Sequence, residues 1–277
     1  MPELPEVETV RKQLTKEVVG SKVVNIEVRE AKIFIGNAKE LLGDKIVKVG
    51  RIGKYLFIYF KSKKGLIIHL KMTGRLIIRP LNQSTIKPLE VDYETAKHTR
   101  VVIKLSDGRK IFYWDTRKFG YLKLVDDIHD EYFKLSEKMG PDPWKITEID
   151  LQRKLKRTGR SIKEAILDQN VLSGVGNIYA NDALWLAKLN PAKKSNTLTK
   201  AEINRLRKSL HSVLERGLAT NGASDNTYRD LYGKPGFYQD EFLVYGRTGE
   251  PCIRCSTPLK RIVVGGRGTW VCTKCQK

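Results

Sequence analysis

The stretch CIRCSTPLKRIVVGGRGTWVCTKC, residues 252–275, decides the fold of the C-terminal end of this chain. It contains two Cys-x2-Cys pairs separated by sixteen residues, and these are all four cysteines of the sequence. Such pairs, joined by a hairpin, are typical of structural zinc sites in which each tight turn supplies two thiolates. Two disulfides are the alternative, but they need an oxidising compartment that nothing in the sequence indicates. We therefore predict one structural Zn2+ ion, bound by Cys252, Cys255, Cys272 and Cys275.

The charge balance indicates the kind of partner. The chain has 52 Lys and Arg against 31 Asp and Glu, a net charge of +21. So large an excess favours a nucleic acid over the two alternatives, an ordinary basic protein or one that binds anionic membrane surfaces. No apolar run approaches membrane-spanning length, and the N-terminus lacks the charged and apolar regions of a signal peptide. We expect a cytoplasmic protein with no membrane partner.

The first half of the chain has the pattern of a β domain. Residues 3–19 have apolar positions at helical spacing, whereas residues 80–98 lack a period and are predicted to form a loop. Many short strands at close spacing favour an antiparallel sandwich or barrel. The predicted strands are Val23–Val28, Lys45–Val49, Tyr55–Phe60, Leu66–Leu70, Arg75–Ile78, Arg100–Leu105, Lys110–Trp114 and Tyr121–Val125.

The second half changes to a helical pattern after a linker at Met139–Pro143. A capping box, Thr199 to Glu202, starts the last predicted helix, and residues 220–240 have the Gly, Asn and Asp content of a mobile loop. The fold class is therefore α+β, with several domains. We predict helices at 147–157, 161–170, 177–188 and 199–219, and three domains: an N-terminal antiparallel β-sandwich with flanking helices (1–135), a helical domain (136–235) and the zinc hairpin (236–277).

The N-terminus, Met1-Pro2-Glu3-Leu4-Pro5-Glu6, carries potential chemistry. If Met1 is removed, the nitrogen of Pro2 becomes a free secondary amine beside the carboxylate of Glu3. An α-amino group has a pKa near 8, well below that of lysine, so more of it is unprotonated at neutral pH. Such amines form Schiff bases with sugar aldehydes. The alternative is a plain helix start, because proline and acidic residues are both favoured in a first turn.

Three motifs together give the chain a family resemblance. They are PELPEVE at 2–8, GVGNIY at 174–179, and VYGR at 244–247 followed by the cysteine hairpin. In this order and from end to end, the chain resembles bacterial formamidopyrimidine-DNA glycosylases. The resemblance implies a monomeric, bifunctional glycosylase and AP lyase that removes oxidised purines from double-stranded DNA. It also implies a helix–two-turn–helix element around Gly174–Asn177.

The resemblance assigns catalytic roles to four residues. The amine of Pro2 would attack C1′ of the damaged deoxyribose, and Glu3 would protonate the opening sugar ring. Lys54 would contact phosphate and assist β-elimination, although a lone lysine before a strand is otherwise interpreted as a solvated edge charge. Arg267 would clamp a phosphate and assist δ-elimination. Glu6 matches a second acidic position, which either orients the site or only caps the helix.

The resemblance also assigns a trio that fills the gap left by a base turned out of the duplex. Met72, Arg117 and Phe119 match it, and Arg117 would hydrogen-bond the orphaned partner base. Ordinary core packing is the alternative for Met72 and Phe119. Glycines close behind each of them predict exposed loop tips instead.

Further residues match DNA contacts of the family. Asn177 starts a helix after a glycine turn, where its side-chain amide and the backbone N–H groups would bind a phosphate. Lys163 matches a basic position before that turn, and His98 matches a DNA-contacting histidine. The chain has Gly159 where the family often has a lysine. The region 221–229, which caps the extruded base in the family, departs from common members at Asp225-Asn226.

Two rival functions remain open on the sequence. A glycosylase for oxidised pyrimidines, similar to endonuclease VIII, would usually have Gly at the position of Leu4 and would lack the Met–Arg–Phe trio. A non-catalytic zinc-ribbon DNA-binding protein would retain Met1, or would have lost Pro2 or Glu3.

Overall fold

The computed structural model describes residues 1–79, 91–225 and 227–277. These residues divide into two units, one of residues 1–136 with 221–237 and one of residues 137–220 with 238–277. The predicted domain boundaries assign residues 221–235 to the helical domain, whereas their contacts group them with the N-terminal unit. The reason is non-local packing, because Tyr228 and Leu231 belong to the N-terminal core and Leu231 donates its N–H to Gln13 Oε1 at 2.9 Å.

The N-terminal unit is a β-sandwich preceded by helix α1 (Leu4–Val18). The strands are β1 (Val23–Val28), β2 (Phe34–Ile35), β3 (Ile46–Ile52), β4 (Tyr55–Phe60), β5 (Gly65–His69), β6 (Arg75–Arg79), β7 (Thr99–Leu105), β8 (Lys110–Trp114) and β9 (Tyr121–Val125). One sheet has the order β2-β9-β5-β4-β3 and the other β1-β7-β8-β6. Neighbouring strands are antiparallel apart from the short β2–β9 pair, which is parallel.

One hydrophobic core joins α1 to both sheets. Val10 and Leu14 of α1 pack with Ile68 of one sheet and Val101 of the other, all almost fully buried. This arrangement confirms the predicted sandwich and its eight strands within a few residues. The structure adds β2 and a helix α2 (Ile128–Lys138) that the sequence did not indicate. Of the predicted loop 80–98, residues 80–90 lie outside the described residues, and 91–98 form turns.

The second unit contains four helices and one β-hairpin. The helix predicted at 161–170 ends at Leu167, because Asp168 takes an extended conformation. The predicted capping box from Thr199 to Glu202 is present at the start of the last helix. The elements are α3 (Glu148–Lys156), α4 (Ile162–Leu167), α5 (Asn177–Leu186), α6 (Lys200–Ala219), β10 (Lys260–Val264) and β11 (Arg267–Val271).

Helices α5 and α6 pack closely at a glycine. A Cβ atom at Gly217 would lie 2.4 Å from the ring of Tyr179, which is fully buried. Only a residue without a side chain therefore lets the helices approach this far. Within the described ranges, no helix has the length and apolar character needed to cross a bilayer.

Candidate functional site

The predicted reactive terminus lies at the start of α1. Met1 is exposed, whereas Pro2 and Glu3 are buried, and Glu3 is the N-cap residue of the helix. Glu3 and Glu6 form a reciprocal capping box, in which the Glu3 N–H donates to Glu6 Oε2 at 2.6 Å. The helix start inferred from the prolines is therefore present. It also holds the Glu3 carboxyl group in a buried position next to Pro2.

Glu6 joins this terminus to the segment 221–229. Its second oxygen, Oε1, accepts the Ala223 N–H at 2.8 Å, and the Tyr228 hydroxyl donates to the Glu6 carbonyl at 3.4 Å. A Cβ atom at Gly222 would lie 2.7 Å from Glu6 Cγ. The sequence left open whether Glu6 orients the site or only caps the helix. In the structure its carboxylate caps the helix and also binds the loop.

Lys54 lies in the turn from β3 to β4 and is only 7% exposed. The reading of Lys54 as a solvated edge charge is therefore wrong. Burial is the main cause that lowers the pKa of the nearby His69 to about 3, and the positive charges of Lys71 and Lys54 lower it further. His69 is thus neutral at physiological pH, and its Nδ1 accepts the Lys71 N–H at 2.9 Å.

The predicted gap-filling trio is brought together on two neighbouring turns. Met72 lies between β5 and β6, and Arg117 and Phe119 lie between β8 and β9. Met72 is 41% and Phe119 54% exposed, so these residues lie at exposed loop tips, as predicted, and not in the core. The Arg117 guanidinium lies 4.6 Å from the centroid of the Phe119 ring, a cation–π distance.

His98 lies just before β7 and is half-buried. Its Nδ1 is 3.1 Å from Arg100 Nη2, and its ring meets Trp114 edge-on with centroids 5.5 Å apart. These contacts hold the imidazole beside a guanidinium. His98 therefore lies beside a guanidinium cation just before β7, and such a cation is suited to contact a phosphate.

In the second unit, two predicted DNA-binding residues hold the zinc hairpin. Asn177, the first residue of α5, donates from Nδ2 to the Gly268 carbonyl at 3.1 Å. Lys163 has 0% exposure, and its Nζ donates to the Gly268 carbonyl at 2.8 Å, to Thr269 Oγ1 at 2.6 Å and to Asn181 Oδ1 at 3.4 Å. The predicted direct contact of Lys163 with DNA is therefore corrected, because its ammonium lies inside the unit and holds the hairpin.

Arg267 follows the turn of that hairpin directly. Gly265 and Gly266 have φ values of +56° and +71°, and Val264 pairs with Arg267 across them. A two-residue turn with positive φ at both positions suits the twist of a hairpin and favours glycine. The turn leaves the Arg267 side chain exposed at the start of β11.

The four cysteines meet as a metal site. Their Sγ atoms all lie within 4.8 Å of one another. Cys255 is 3.4 Å from both Cys272 and Cys275, and Cys252 is 4.0 Å from Cys275. A tetrahedral zinc ion with Zn–S bonds of about 2.3 Å separates its sulfur atoms by about 3.8 Å. The four thiolates therefore fit one structural zinc ion with no open coordination position.

Asp115, which the sequence did not single out, lies beneath the trio. It is fully buried, and its carboxylate accepts the N–H groups of Arg117 and Gly120 at 3.1 and 2.9 Å. The Thr73 hydroxyl donates to the same carboxylate. An aspartate after a strand reads as an ordinary turn residue. No local signal indicates that it also binds a second loop.

Models of known protein families match three successive parts of the chain. Residues 1–122 match the formamidopyrimidine-DNA glycosylase N-terminal domain, 139–229 its H2TH domain, and 249–277 a zinc finger found in FPG and IleRS. The formamidopyrimidine-DNA glycosylases of Ligilactobacillus salivarius and Herpetosiphon aurantiacus are 39% and 40% identical to it. The alignments cover 100% of this chain and 99% and 100% of those proteins.

Solved structures also resemble the chain over almost its whole length. A variant of Lactococcus lactis FPG in complex with a Fapy-dG-containing DNA has a TM-score of 0.87 and 37% identity, with 100% of both chains covered. The FPG protein of Thermus thermophilus has a TM-score of 0.85 and 35% identity, with 99% of this chain and 98% of that chain covered. Both similarities extend over the two units and the hairpin.

Proposed function

Because the chain belongs to the formamidopyrimidine-DNA glycosylase family, we propose that it is a bifunctional DNA glycosylase and AP lyase of base excision repair. Its substrates are oxidised purines, 8-oxoguanine and formamidopyrimidines, in double-stranded DNA. The observation that carries the proposal is the N-terminus, where Pro2 lies beside the buried Glu3 at the start of α1. Relatives solved with Fapy-dG-containing and abasic DNA support it.

The chemistry begins once Met1 has been removed. The lone pair of the Pro2 nitrogen forms a bond to C1′ while the bond from C1′ to the damaged base breaks, and the departing base takes up the proton that the Pro2 nitrogen loses. The Glu3 carboxyl protonates O4′ as the C1′–O4′ bond opens, which leaves an iminium ion between Pro2 and C1′. General acid help of this kind typically accelerates a step by about 10²–10⁴-fold.

The iminium ion then acts as an electron sink for strand cleavage. Loss of a C2′ proton breaks the C3′–O bond and expels one phosphate, and loss of a C4′ proton breaks the C5′–O bond and expels the other. Lys54 assists the first elimination and Arg267 the second. Hydrolysis finally releases the sugar fragment and restores the Pro2 amine.

DNA is held by residues of each unit. In the N-terminal unit, Met72 and Phe119 fill the gap in the duplex, Arg117 binds the orphaned base, and His98 contacts a phosphate. Asn177 binds phosphate through the start of α5. The structural zinc ion keeps the hairpin that carries Arg267 folded, and when bound it supplies no step of the reaction.

Borohydride trapping tests the proposal. The mature protein, with the loss of Met1 verified by mass spectrometry, is mixed with a duplex that contains 8-oxoguanine opposite cytosine. Reduction of the iminium should give a covalent protein–DNA complex. A protein with an uncleaved N-terminal extension is the matched control and should bind the duplex without being trapped. Absence of an adduct from the mature protein on lesion and abasic DNA would refute the lyase.

The rival specificity for oxidised pyrimidines is separated by substrate. Leu4 and the trio favour purines, whereas the segment 221–229 departs from common family members at Asp225-Asn226, of which Asn226 lies outside the described residues. Single-turnover excision should be faster from a duplex with 8-oxoguanine than from one with oxidised thymine. The reverse order would transfer the chain to the pyrimidine-specific branch.

The proposal extends to compartment and assembly. The enzyme works in the cytoplasm on nucleoid DNA, and it does so as a monomer, since the chemistry needs only one N-terminal amine. Light scattering after size exclusion should give one protein per lesion duplex. Two proteins per duplex would contradict this part of the proposal.

A further inference from the structure

Asp115 connects two loops that are far apart in the sequence. It lies between β8 and β9 with 0% exposure, and its carboxylate has donors from both sides. Oδ1 accepts the Thr73 hydroxyl of the β5–β6 turn and the Arg117 N–H at 3.1 Å, and Oδ2 accepts the Gly120 N–H at 2.9 Å. One buried side chain thus anchors one turn at Thr73 and the other turn at both of its ends.

The backbone of Asp115 is equally fixed. Its N–H donates to the His98 carbonyl at 3.0 Å, and its own carbonyl accepts the Arg100 Nε–H at 2.8 Å. A carboxylate removed from water needs several donors to remain favourable. The donors it has are those of the two loops, so their conformations and the burial of Asp115 depend on each other.

Close packing leaves these loops little room for another arrangement. A Cβ atom at Gly120 would lie 1.8 Å from the Tyr113 hydroxyl oxygen, and one at Gly74 would lie 2.6 Å from the same atom. The neutral His69 fixes the Lys71 N–H on the other side of the first turn. Buried residues therefore fix the base of both loops, while the side chains at the loop tips remain exposed.

The three exposed side chains of the trio stand on this anchored backbone. Met72 directly precedes Thr73, and Phe119 lies between the two N–H groups that bind Asp115. Side chains that insert between base pairs need a rigid backbone, because unstacking costs free energy at each base step. Because one buried carboxylate anchors both loops, the backbones of Met72 and Phe119 are restrained together.

We propose that Asp115 is a positioning residue that pre-orders Met72, Arg117 and Phe119 for insertion into the duplex. It touches neither the sugar nor the base, and it acts through the two loops. The inference rests on the proposed function, because it assigns Asp115 to the step in which the damaged nucleotide is turned out. It predicts a defect where a base must be unstacked and none where the sugar is already accessible.

The test compares two substrates for Asp115→Asn. The amide keeps the size of the carboxylate but turns one acceptor into a donor that faces an N–H or hydroxyl group. Single-turnover excision of 8-oxoguanine from a duplex should fall by about 100-fold, the loss expected from a displacement near 1 Å. Nicking of a single-stranded abasic oligonucleotide, where no stacked base has to be displaced, should keep its wild-type rate.

Fluorescence gives the direct readout of insertion. With 2-aminopurine beside the lesion, the rise that reports local unstacking should slow in Asp115→Asn by the same factor as excision. A variant damaged only in stability would lose abasic nicking together with excision. Equal losses on the two substrates, or a wild-type rate of unstacking, would overturn the inference.

Thr73 supplies a second, milder pair of variants. Thr73→Val removes the hydroxyl donor at constant shape, and Thr73→Ser retains it. We expect Thr73→Val to show a smaller defect confined to the duplex, and Thr73→Ser to behave as wild type. If Asp115→Asn fails to fold, identical behaviour of Thr73→Val and Thr73→Ser would still overturn the inference. Failure of the wild-type protein to trap abasic DNA would instead refute the proposed function.

Discussion

At the scale of single residues, His69 shows how burial beside cations changes the behaviour of a side chain. Burial and the charges of Lys71 and Lys54 lower its pKa to about 3, against 6.5 in its ordinary state. Between pH 6.5 and about 3, His69 is therefore protonated in the unfolded chain but neutral in the folded protein. The contribution of neutral His69 to stability is complete above pH 6.5 and is lost as the pH falls.

This leads to a prediction for acid unfolding. The free energy of unfolding should fall by about 1.4 kcal/mol per pH unit on account of His69 between pH 6.5 and 3. His69→Asn, whose amide oxygen can still accept the Lys71 N–H, should lose that part of the slope. Urea titrations at several pH values measure it. A wild-type slope in His69→Asn would contradict the prediction.

Lys163 and Arg267 should respond differently to salt, although both are cations of the same unit. Arg267 is exposed and proposed to bind a phosphate, so Arg267→Ala should lower the slope of log K for DNA against log salt by about 0.9. Lys163 is buried, so Lys163→Met should weaken binding at every salt concentration without changing the slope. Fluorescence anisotropy between 50 and 200 mM salt, roughly the range where such slopes are clear, decides. A reduced slope in Lys163→Met would restore it as a phosphate contact.

At the scale of elements, the zinc hairpin depends on its metal. Four of the five residues of β10 are exposed, and a two-stranded hairpin is marginal in water without further support. Metal binding then supplies folding free energy. Removing zinc with a chelator should unfold residues 252–275 and abolish DNA binding, whereas the β-sandwich stays folded.

Limited proteolysis followed by mass spectrometry measures this prediction. Cleavage should appear within the hairpin after chelation and disappear when Zn2+ is restored. The β-sandwich, which shares no zinc ligand, is the internal control. Equal protection of the hairpin with and without metal would contradict the prediction.

The elements also show which parts of the fold a sequence can predict. The strands, the capping box at Thr199 and the cysteine hairpin rest on local patterns, and the structure contains them. Strand β2 has only two residues and depends on a parallel pairing with β9, and α2 buries only Ile128, so neither leaves a local signal.

The same limit applies to the candidate site. The trio is identified through the family resemblance, and only its exposure is predicted by neighbouring residues, the glycines close behind Met72 and Phe119. The inward orientation of Lys163 and the two-sided binding of Asp115 could not be predicted, because each depends on a partner far away in the sequence. The burial of Lys54 could not be predicted either, because it depends on tertiary packing. Asp115 and Thr73 are 42 residues apart.

At the scale of the whole molecule, the chain leaves its first unit at Ser136 and returns to it at Asn221. The returning segment completes the core with Leu231, which also accepts the Ile78 N–H at 2.9 Å. We predict that a fragment of residues 1–136 is unfolded by circular dichroism. Adding a peptide of residues 221–237 should restore part of the strand signal, and a peptide with Leu231→Asp should not. A stably folded fragment on its own would contradict this.

The return of the segment 221–237 has a consequence for biosynthesis. A ribosome makes the N-terminal end first, but partners of Glu6 and Gln13 lie 217 and 218 residues later in the chain. Residues 137–220 of the second unit emerge before residues 221–237 can complete the first unit, so the first unit cannot finish folding in the order in which it is synthesised. Nascent chains stalled before residue 237 should remain open to proteases and inert toward DNA damage.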